Sequence, residues 1–469
     1  MKLNPASIHK IAVMLVFTTI MRPALAQEKH AFTVQQAVDY AMKNSAKVKN
    51  TLLDYKLQEQ TNREVTSAAF PQLDARAGAV YNPNVAVQSF PNFIAAATYG
   101  VLQQEGVKNA AGQPIVPPGD LGLIQAQFGT KYTANAGVDL SQILFDGQVF
   151  VGLQARETSL QWAQKNVEVT EVLIKANVYK VYYQLVTGKT QIDLLDANIA
   201  RLQKLQHETN EMYKNGFSEK LDVDKLTVQI ANLETEKKKV QNLIYKGYLG
   251  FKVLMGMPIK DEVVLTDTLS DSKIKDGILE ASTYNYSDRV EVQYAELGKK
   301  LREYDVKRYK LSQLPTVKLS GSYSKNAQRN KFDFFSKGDW YTFSNIGLNI
   351  SVPLFHGFST RSKIETAKLN LQKTTNDIEN LKLTIDQEVD SSLANFKTAI
   401  ENMDYQKQNM KLAQQVYDQT TKKFQAGLGS NTEINTAQTD LKSAETNYIT
   451  ALQEAIIAKI DYLKAIGKL

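Results

Sequence analysis

The sequence has no cysteine, only four histidines and only two tryptophans among its 469 residues. Without cysteine there can be no disulfide, thiolate zinc site, iron–sulfur cluster, thiol nucleophile or cysteine-linked lipid anchor. Beyond residue 26 the histidines are His30, His207 and His356, none with a second ligand three or four positions away, so no metal-site spacing is present. Gly427-Leu428-Gly429 lacks the third glycine and the preceding strand of a dinucleotide-binding turn. Asp222 and Asp224 lie two apart, a spacing that keeps two helical carboxylates from facing each other as a hydrolytic pair must. The clustered tyrosines Tyr179, Tyr182 and Tyr183 read as core. These gaps lead us to expect no enzyme activity, no cofactor and no metal. Long apolar runs are scarce as well: beyond Met21 no window approaches the ~18 apolar residues of a spanning helix. The 56 Lys and Arg are interleaved with 49 Asp and Glu, so the net charge of +7 is spread out and forms no basic face for nucleic acid.

What is present begins at the N-terminus. Lys2 and Lys10 precede the apolar run Ile11–Met21, and Ala24-Leu25-Ala26 supplies the small-x-small pattern of a signal-peptidase site. The run falls short of the ~20 residues of a membrane anchor, so residues 1–26 read as a Sec-type signal peptide. Cleavage after Ala26 removes Lys2, Lys10 and Arg22 and no acid, which makes the mature chain less basic. An exported chain without a spanning helix is either soluble or a β-barrel.

The remainder is duplicated. Gly216 corresponds to Gly427, Phe251 to Tyr462, and Leu254-Met255-Gly256 to Ala465-Ile466-Gly467. Upstream, VDLSQILFDG (138–147) aligns with LNISVPLFHG (348–357), and FPQLDARAGAVY (70–81) with LPTVKLSGSYS (314–324). The first half holds extra residues around 82–127, a stretch rich in Pro, Gly, Asn and Ala that reads as a long loop. We therefore divide the chain into the signal peptide 1–26 and one duplicated protein 27–469, with repeat one at 27–257, a linker at 258–274 and repeat two at 275–469. Each repeat runs helix, strand, loop, strand, very long helix, turn, long helix. Helical periodicity covers 33–68 and 275–312 and ends near Pro71 and Pro315.

The strands alternate. Val317, Leu319 and Tyr323 oppose Lys318, Ser320, Ser322 and Ser324, and Ile346, Leu348, Ile350, Val352 and Leu354 oppose Asn345, Gly347, Asn349 and Ser351. In repeat one Val138, Leu140 and Leu144 oppose Asn135, Gly137, Asp139 and Ser141. Strands of about ten residues are long enough to cross a bilayer when tilted. Aromatic residues gather at their ends, as they do in an interfacial girdle or in a sandwich core. From Phe358 to Phe424 there is neither Gly nor Pro, and at ~1.5 Å per residue such a helix is about 100 Å long. The returning helix carries a heptad seam of Ile434, Ala437, Leu441, Ala444, Tyr448, Ala451, Ala455, Ala458, Tyr462 and Ala465. Repeat one keeps it as Val223, Leu226, Ile230, Leu233, Val240, Ile244, Phe251 and Leu254. Four strands are too few to close a membrane barrel, whose smallest members have about eight, so copies of the chain must associate.

Duplicated halves, a signal peptide, strand pairs opening at a proline (FPQLDAR, LPTVKLS), the strand end VPLFHG and the hairpin tip AGL together resemble the TolC-like outer membrane efflux proteins, or outer membrane factors. The resemblance spans essentially everything after residue 26. It implies an α+β membrane protein in which three protomers of four strands each form one twelve-stranded transmembrane barrel, continued by a periplasmic α-helical coiled-coil tunnel. It implies a passive exit channel of a tripartite efflux or type I secretion system in the outer membrane of a Gram-negative bacterium. The implied partners are two further copies in a homotrimer, a periplasmic adaptor (membrane fusion) protein, an inner-membrane transporter of the RND, ABC or MFS type, and outer-membrane lipid. Val138, Leu140, Val317, Leu319, Ile346, Leu348 and Ile350 would face that lipid. Gly216 and Gly427 would mark the hairpin tips where the adaptor docks. The family pattern sets an acid six residues after the tip glycine, here Glu433; the same count from Gly216 gives Asp222, with Asp224 beside it, as the acids of a tunnel-entrance gate. A second acidic position, nine after the glycine, is Thr436 here, so the ring carries less charge. The same acids also suit the first turn of a helix, where they offset the N-terminal dipole. With Gln27 after the cleavage site no lipid anchor is expected, and the barrel alone would hold the protein in the membrane. A soluble exported coiled-coil protein with a structural or binding role is the alternative from another class.

Overall fold

A computed structural model describes residues 29–269, 271–275, 284–336 and 338–469; the signal peptide lies outside the described residues. The chain opens with β1 (Lys29–Phe32), α1 (Val34–Asn44) and α2 (Ala46–Ser67). There follow β2 (Gln72–Tyr81), β3 (Val87–Pro91), α3 (Phe93–Gln104), β4 (Leu123–Gln127) and β5 (Tyr132–Phe145). The first hairpin is α4 (Gly147–Lys214) and α5 (Lys220–Met255), and β6 (Glu262–Leu265) and α6 (Asp271–Lys275) lead into the second half. That half comprises α7 (Val290–Leu311), β7 (Thr316–Arg329), β8 (Tyr341–Ser351), α8 (Ser359–Gln425) and α9 (Asn431–Ala465). The hairpins repeat closely: 68 and 36 residues in α4 and α5, 67 and 35 in α8 and α9.

Four expectations need correction. The periodic stretch 33–68 is two helices, because Ser45 takes an extended ψ of 127° between them, although neither Gly nor Pro marks the break. In 275–312 residues 276–283 lie outside the described residues, and of the rest a 3-10 turn at Tyr286–Asp288 precedes the long helix, which starts at Val290. The stretch 82–127 is not a structureless loop: β3 and β4 pair antiparallel and α3 lies between them, its first turn capped by Asn92, which accepts from the Ala95 N–H at 2.9 Å. Strand β8 also ends at Ser351, which leaves Val352 and Leu354 beyond the sheet.

The chain divides into two compact units. The helical unit holds the residues up to Glu59, Glu157–Glu303 and Leu369–Leu469. One of its cores packs Ala37, Val38 and Ala41 of α1 against Val178, Tyr182, Phe251 and Met255. Burial of a side chain such as Phe251 contributes roughly 1.5–3 kcal/mol. The Tyr182 hydroxyl donates to the Phe32 carbonyl at 2.8 Å and accepts from the Asp267 N–H at 3.1 Å, and its burial pushes its pKa up to about 12. Gly256 closes α5 at φ 72°, and a Cβ there would sit 2.2 Å from the Asn44 carbonyl oxygen, so both its conformation and the close approach of α1 require glycine. A second core packs Ile385, Val389, Phe396 and Met403 of α8 against Ala455, Ile460 and Tyr462 of α9. A third draws on all four hairpin helices: Leu195 and Leu202 of α4, Leu226 and Ile230 of α5, Tyr417 and Phe424 of α8, Ile434 and Leu441 of α9. Helix α9 buries most of the expected heptad seam and a second stripe beside it, Gln438, Glu445, Ile449, Leu452, Ile456 and Ile460. Two buried stripes mean that α9 packs against more than its hairpin partner.

The sheet unit holds Gln60–Arg156 and Tyr304–Lys368. Its four strands form one antiparallel sheet in the order β2-β5-β7-β8, with a bulge in β5 between Ile143 and Phe145. The outer strands β2 and β8 have no further strand partner among the described residues, so a single chain presents an open sheet and no closed barrel. All four strands join helices at one end of the sheet, and the connections 82–131 and 330–340 lie at the other.

Candidate functional site

The two hairpin turns are built alike. Gly216 has φ 79° and Gly427 has φ 73°, and in each turn the following residue's N–H returns to the helix, Phe217 to the Met212 carbonyl at 2.8 Å and Leu428 to the Lys423 carbonyl at 2.9 Å. This is the Schellman closure, in which a left-handed residue satisfies the last carbonyls. Nothing lies within 4 Å of a Cβ built on either glycine, so glycine is required there by backbone conformation alone. Phe217 and Leu428, the equivalent next residues, are 80% and 82% exposed.

Of the three candidate gate acids, Asp222 sits in the first turn of α5 and is held locally: it accepts from the Ser218 hydroxyl at 3.3 Å and lies 3.7 Å from the Lys225 ammonium. Glu433 is exposed in the first turn of α9, where its N–H donates to the capping Ser430 hydroxyl at 3.2 Å. Both occupy positions where the helix dipole favours a negative charge. Asp224 is exposed and lines a groove of 680 Å³ between the starts of α5 and α9 with Lys225, Gln229, Thr436 and Asp440. The structure thus gathers Asp224 and Thr436, and adds Asp440, which the sequence reading did not select; it stands one turn beyond Thr436 on the same helix.

A second feature went unread. Between α4 and α9 the Glu445 carboxylate accepts from Asn198 Nδ2 at 2.5 Å and from Arg201 Nη2 at 2.8 Å. Asn198 Oδ1 in turn accepts from Gln438 Nε2 at 2.6 Å and from Arg201 Nη2 at 2.9 Å. Asn198, Gln438 and Glu445 are all buried. The network joins the outgoing helix of repeat one to the returning helix of repeat two. The signal available in the sequence was a pair of polar residues, Gln438 and Glu445, spaced by seven on an otherwise apolar stripe.

In the sheet unit the register separates the two faces cleanly. Leu73, Leu140, Gly321 and Ile346 form one cross-strand row, and Ala75, Val138, Tyr323 and Ser344 the next. Leu319 pairs with Leu348 and Val317 with Ile350. All seven apolar residues singled out from the sequence therefore share one face. That face is open in the single chain, with Ile346 87% and Leu73 70% exposed. The opposite face carries Asp74, Arg76, Asp139, Ser320, Ser322 and Asn349. Arg76 lies 3.1 Å from Asp139 there, and Asn349 donates to Ser320 at 2.8 Å.

Residues 287–468 match the model of the outer membrane efflux protein family. The chain is 20% identical over 336 residues to outer membrane protein TolC of Vibrio cholerae, covering 71% of this chain and 77% of that protein. The chain is similar to the TolC-like outer membrane efflux proteins. It is 22% identical over 341 residues to the probable efflux pump outer membrane protein TtgC of Pseudomonas putida, covering 72% of this chain and 69% of that one. In three dimensions it resembles the CmeC outer membrane channel of Campylobacter jejuni, with a TM-score of 0.70, 16% identity, and coverage of 93% of this chain and 85% of that one. At that identity the likeness concerns the fold.

Proposed function

We propose that the protein is an outer membrane efflux protein and the exit channel of a tripartite efflux or type I secretion system, a passive conduit that carries out no reaction. Three copies join their open sheets edge to edge into one twelve-stranded barrel, which satisfies the unpaired backbone groups of β2 and β8. Val138, Leu140, Val317, Leu319, Ile346, Leu348 and Ile350 then face lipid, and Asp74, Arg76 and Asp139 line the water-filled interior. The carrying observation is the sheet itself: a sheet with open edges and a large exposed apolar face would be an aggregation hazard in water and is matched to a bilayer. The helical hairpins form the periplasmic duct. The adaptor docks at the tips marked by Gly216 and Gly427, where Phe217 and Leu428 offer apolar contact, and an inner-membrane transporter of the RND, ABC or MFS type supplies the energy.

At the tips Asp222, Asp224 and Glu433, repeated by threefold symmetry, raise the negative potential of the entrance and favour cations. The groove acid Asp440 adds charge to the same neighbourhood and offsets the neutral Thr436. Envelope fractionation followed by denaturing gels of unheated protein tests the channel: a heat-sensitive trimer in the outer membrane is expected, and a soluble monomer would leave the exported coiled-coil reading instead. Single-channel recording in planar bilayers tests the gate. Replacing Asp222, Asp224 and Glu433 with Ala should reduce cation selectivity, and unchanged selectivity would remove these acids from the gate.

A further inference from the structure

The apolar face of the sheet carries two charges, and both are cations. Across the cross-strand rows β2 contributes Leu73, Ala75, Ala77, Ala79 and Tyr81, and β5 and β8 contribute no charged residue to this face. Lys325 and Arg329 of β7 are the exceptions, Lys325 opposite Ala136 and Thr342, and Arg329 opposite Tyr132. Both stand at the end of the sheet away from the helices.

Their height is informative. From Val317 at the helix end, a rise of ~3.3 Å per residue and a tilt of ~40° put Lys325 about 20 Å and Arg329 about 30 Å up the barrel wall, against an apolar band of ~25 Å. The pair straddles the outer boundary of that band, where long cationic side chains reach the headgroups.

Phe334 and Trp340 of the connection between β7 and β8 come back onto this part of the face. Phe334 is buried over Ala134 and Ala327, with Tyr132 and Trp340 packed beside it. The Arg329 guanidinium lies over the Phe334 ring at 5.4 Å, and its Nη1 pairs with Asp333 Oδ1 at 3.0 Å. The Arg329 side chain is 9% exposed, and its Nη2 is buried with no hydrogen-bond partner among the described residues. A charged donor left unsatisfied at an aromatic-walled site calls for an acceptor. Lys325, by contrast, is exposed.

We propose that Lys325 and Arg329 form a site for the phosphorylated headgroup of an outer-leaflet glycolipid, with Trp340 and Tyr132 against the sugar and upper acyl chain. Two cations four residues apart on a strand are ~13 Å apart at the backbone, a separation that suits one headgroup carrying two phosphates better than a single phosphate. Arginine and lysine supply charge-assisted bonds to phosphate oxygens, and the indole belongs at the membrane–water boundary. This proposal rests on the reading of the apolar face as lipid-facing.

The test uses full-length trimer reconstituted in phosphatidylethanolamine vesicles, with and without a bisphosphorylated diglucosamine lipid. Substituting Trp162→Phe leaves Trp340 as the single indole reporter. The glycolipid should raise the temperature at which the trimer dissociates on gels and shift Trp340 emission, and Lys325→Gln should weaken its binding about tenfold, the factor of one charge-assisted contact. Lys325 is exposed, so this variant keeps the fold; Arg329→Gln is the second variant, with circular dichroism as its control. Equal glycolipid binding by wild type and both variants would overturn the site. The same shift produced by inorganic phosphate in undoped vesicles would overturn the lipid assignment. The underlying reading has its own readout: brominated acyl chains should quench a tryptophan placed at Ile346, and absence of that quenching would refute the barrel face and leave the headgroup site without a basis.

Discussion

The helical unit and the sheet unit dispose of their apolar residues in opposite ways. The helical unit buries many of them in three cores, beside buried polar groups that include the network around Glu445 and the paired Arg289. The sheet unit exposes them: every residue of β2 is exposed, and so is almost all of β8. In the proposed channel the sheet requires a second solvent and further copies, whereas the helical unit already holds cores of its own. In the proposed channel the same strict alternation that would mark a half-buried sheet in a soluble protein marks a wall between lipid and water, a distinction that needs burial set beside the sequence pattern.

Removing the Glu445 carboxylate should cost most. In Glu445→Leu the partly buried Arg201 loses its carboxylate partner, with an expected loss of about 3–5 kcal/mol; thermal unfolding of the trimer followed by circular dichroism should show it, and adding Arg201→Met should restore part. If Glu445→Leu alone were neutral, the network would be unimportant to the packing of α4 on α9. On the sheet, Ile346→Lys should cost about 2–4 kcal/mol per protomer near the bilayer midplane, whereas Asn345→Lys on the other face should cost little. Equal stability of the two trimers would erase the contrast between the faces. At the tips, Gly216→Ala and Gly427→Ala should each cost ~1–2 kcal/mol, since only the left-handed backbone is strained and no neighbour is touched. A larger loss in unfolding experiments would point to a crowded tip.

The smallest effect is one of pH. The Tyr284 hydroxyl, and then that of Tyr286 at 2.8 Å, hold the Asp386 carboxyl below the usual carboxylate range. Because the folded value is the lower one, the stabilisation is complete above the unfolded carboxylate pKa and is lost as pH falls through the folded value. The difference in melting temperature between wild type and Asp386→Asn should therefore close on acidification; a difference that widened would reverse the assignment.

Much of the architecture was legible because its signals are long. A stretch from Phe358 to Phe424 without Gly or Pro cannot hide a helix of that length, and the seam from Ile434 to Ala465 named most of one buried face of α9. The second face escaped notice because Gln438 and Glu445 interrupt it with polar side chains whose partners, Asn198 and Arg201, lie on another helix. The break at Ser45 has no local breaker residue and is made by the packing of α1 against α5. In 82–131 the Asn, Pro and Gly residues that suggested a loop also serve as caps and turns of a small β3-α3-β4 element. Of the candidate gate acids, the sequence located the helix starts, and the structure alone set Asp440 beside Asp224.

The absence of cysteine makes the central claim directly measurable, since a single introduced thiol is unique in the chain. Ile346→Cys and Asn345→Cys differ by one residue and by one face of the sheet. In intact outer membranes a small, charged, membrane-impermeant maleimide should label Asn345→Cys and leave Ile346→Cys unmodified until detergent is added. Labelling of Ile346→Cys at the same rate as Asn345→Cys without detergent would contradict a lipid-facing sheet and the channel built upon it.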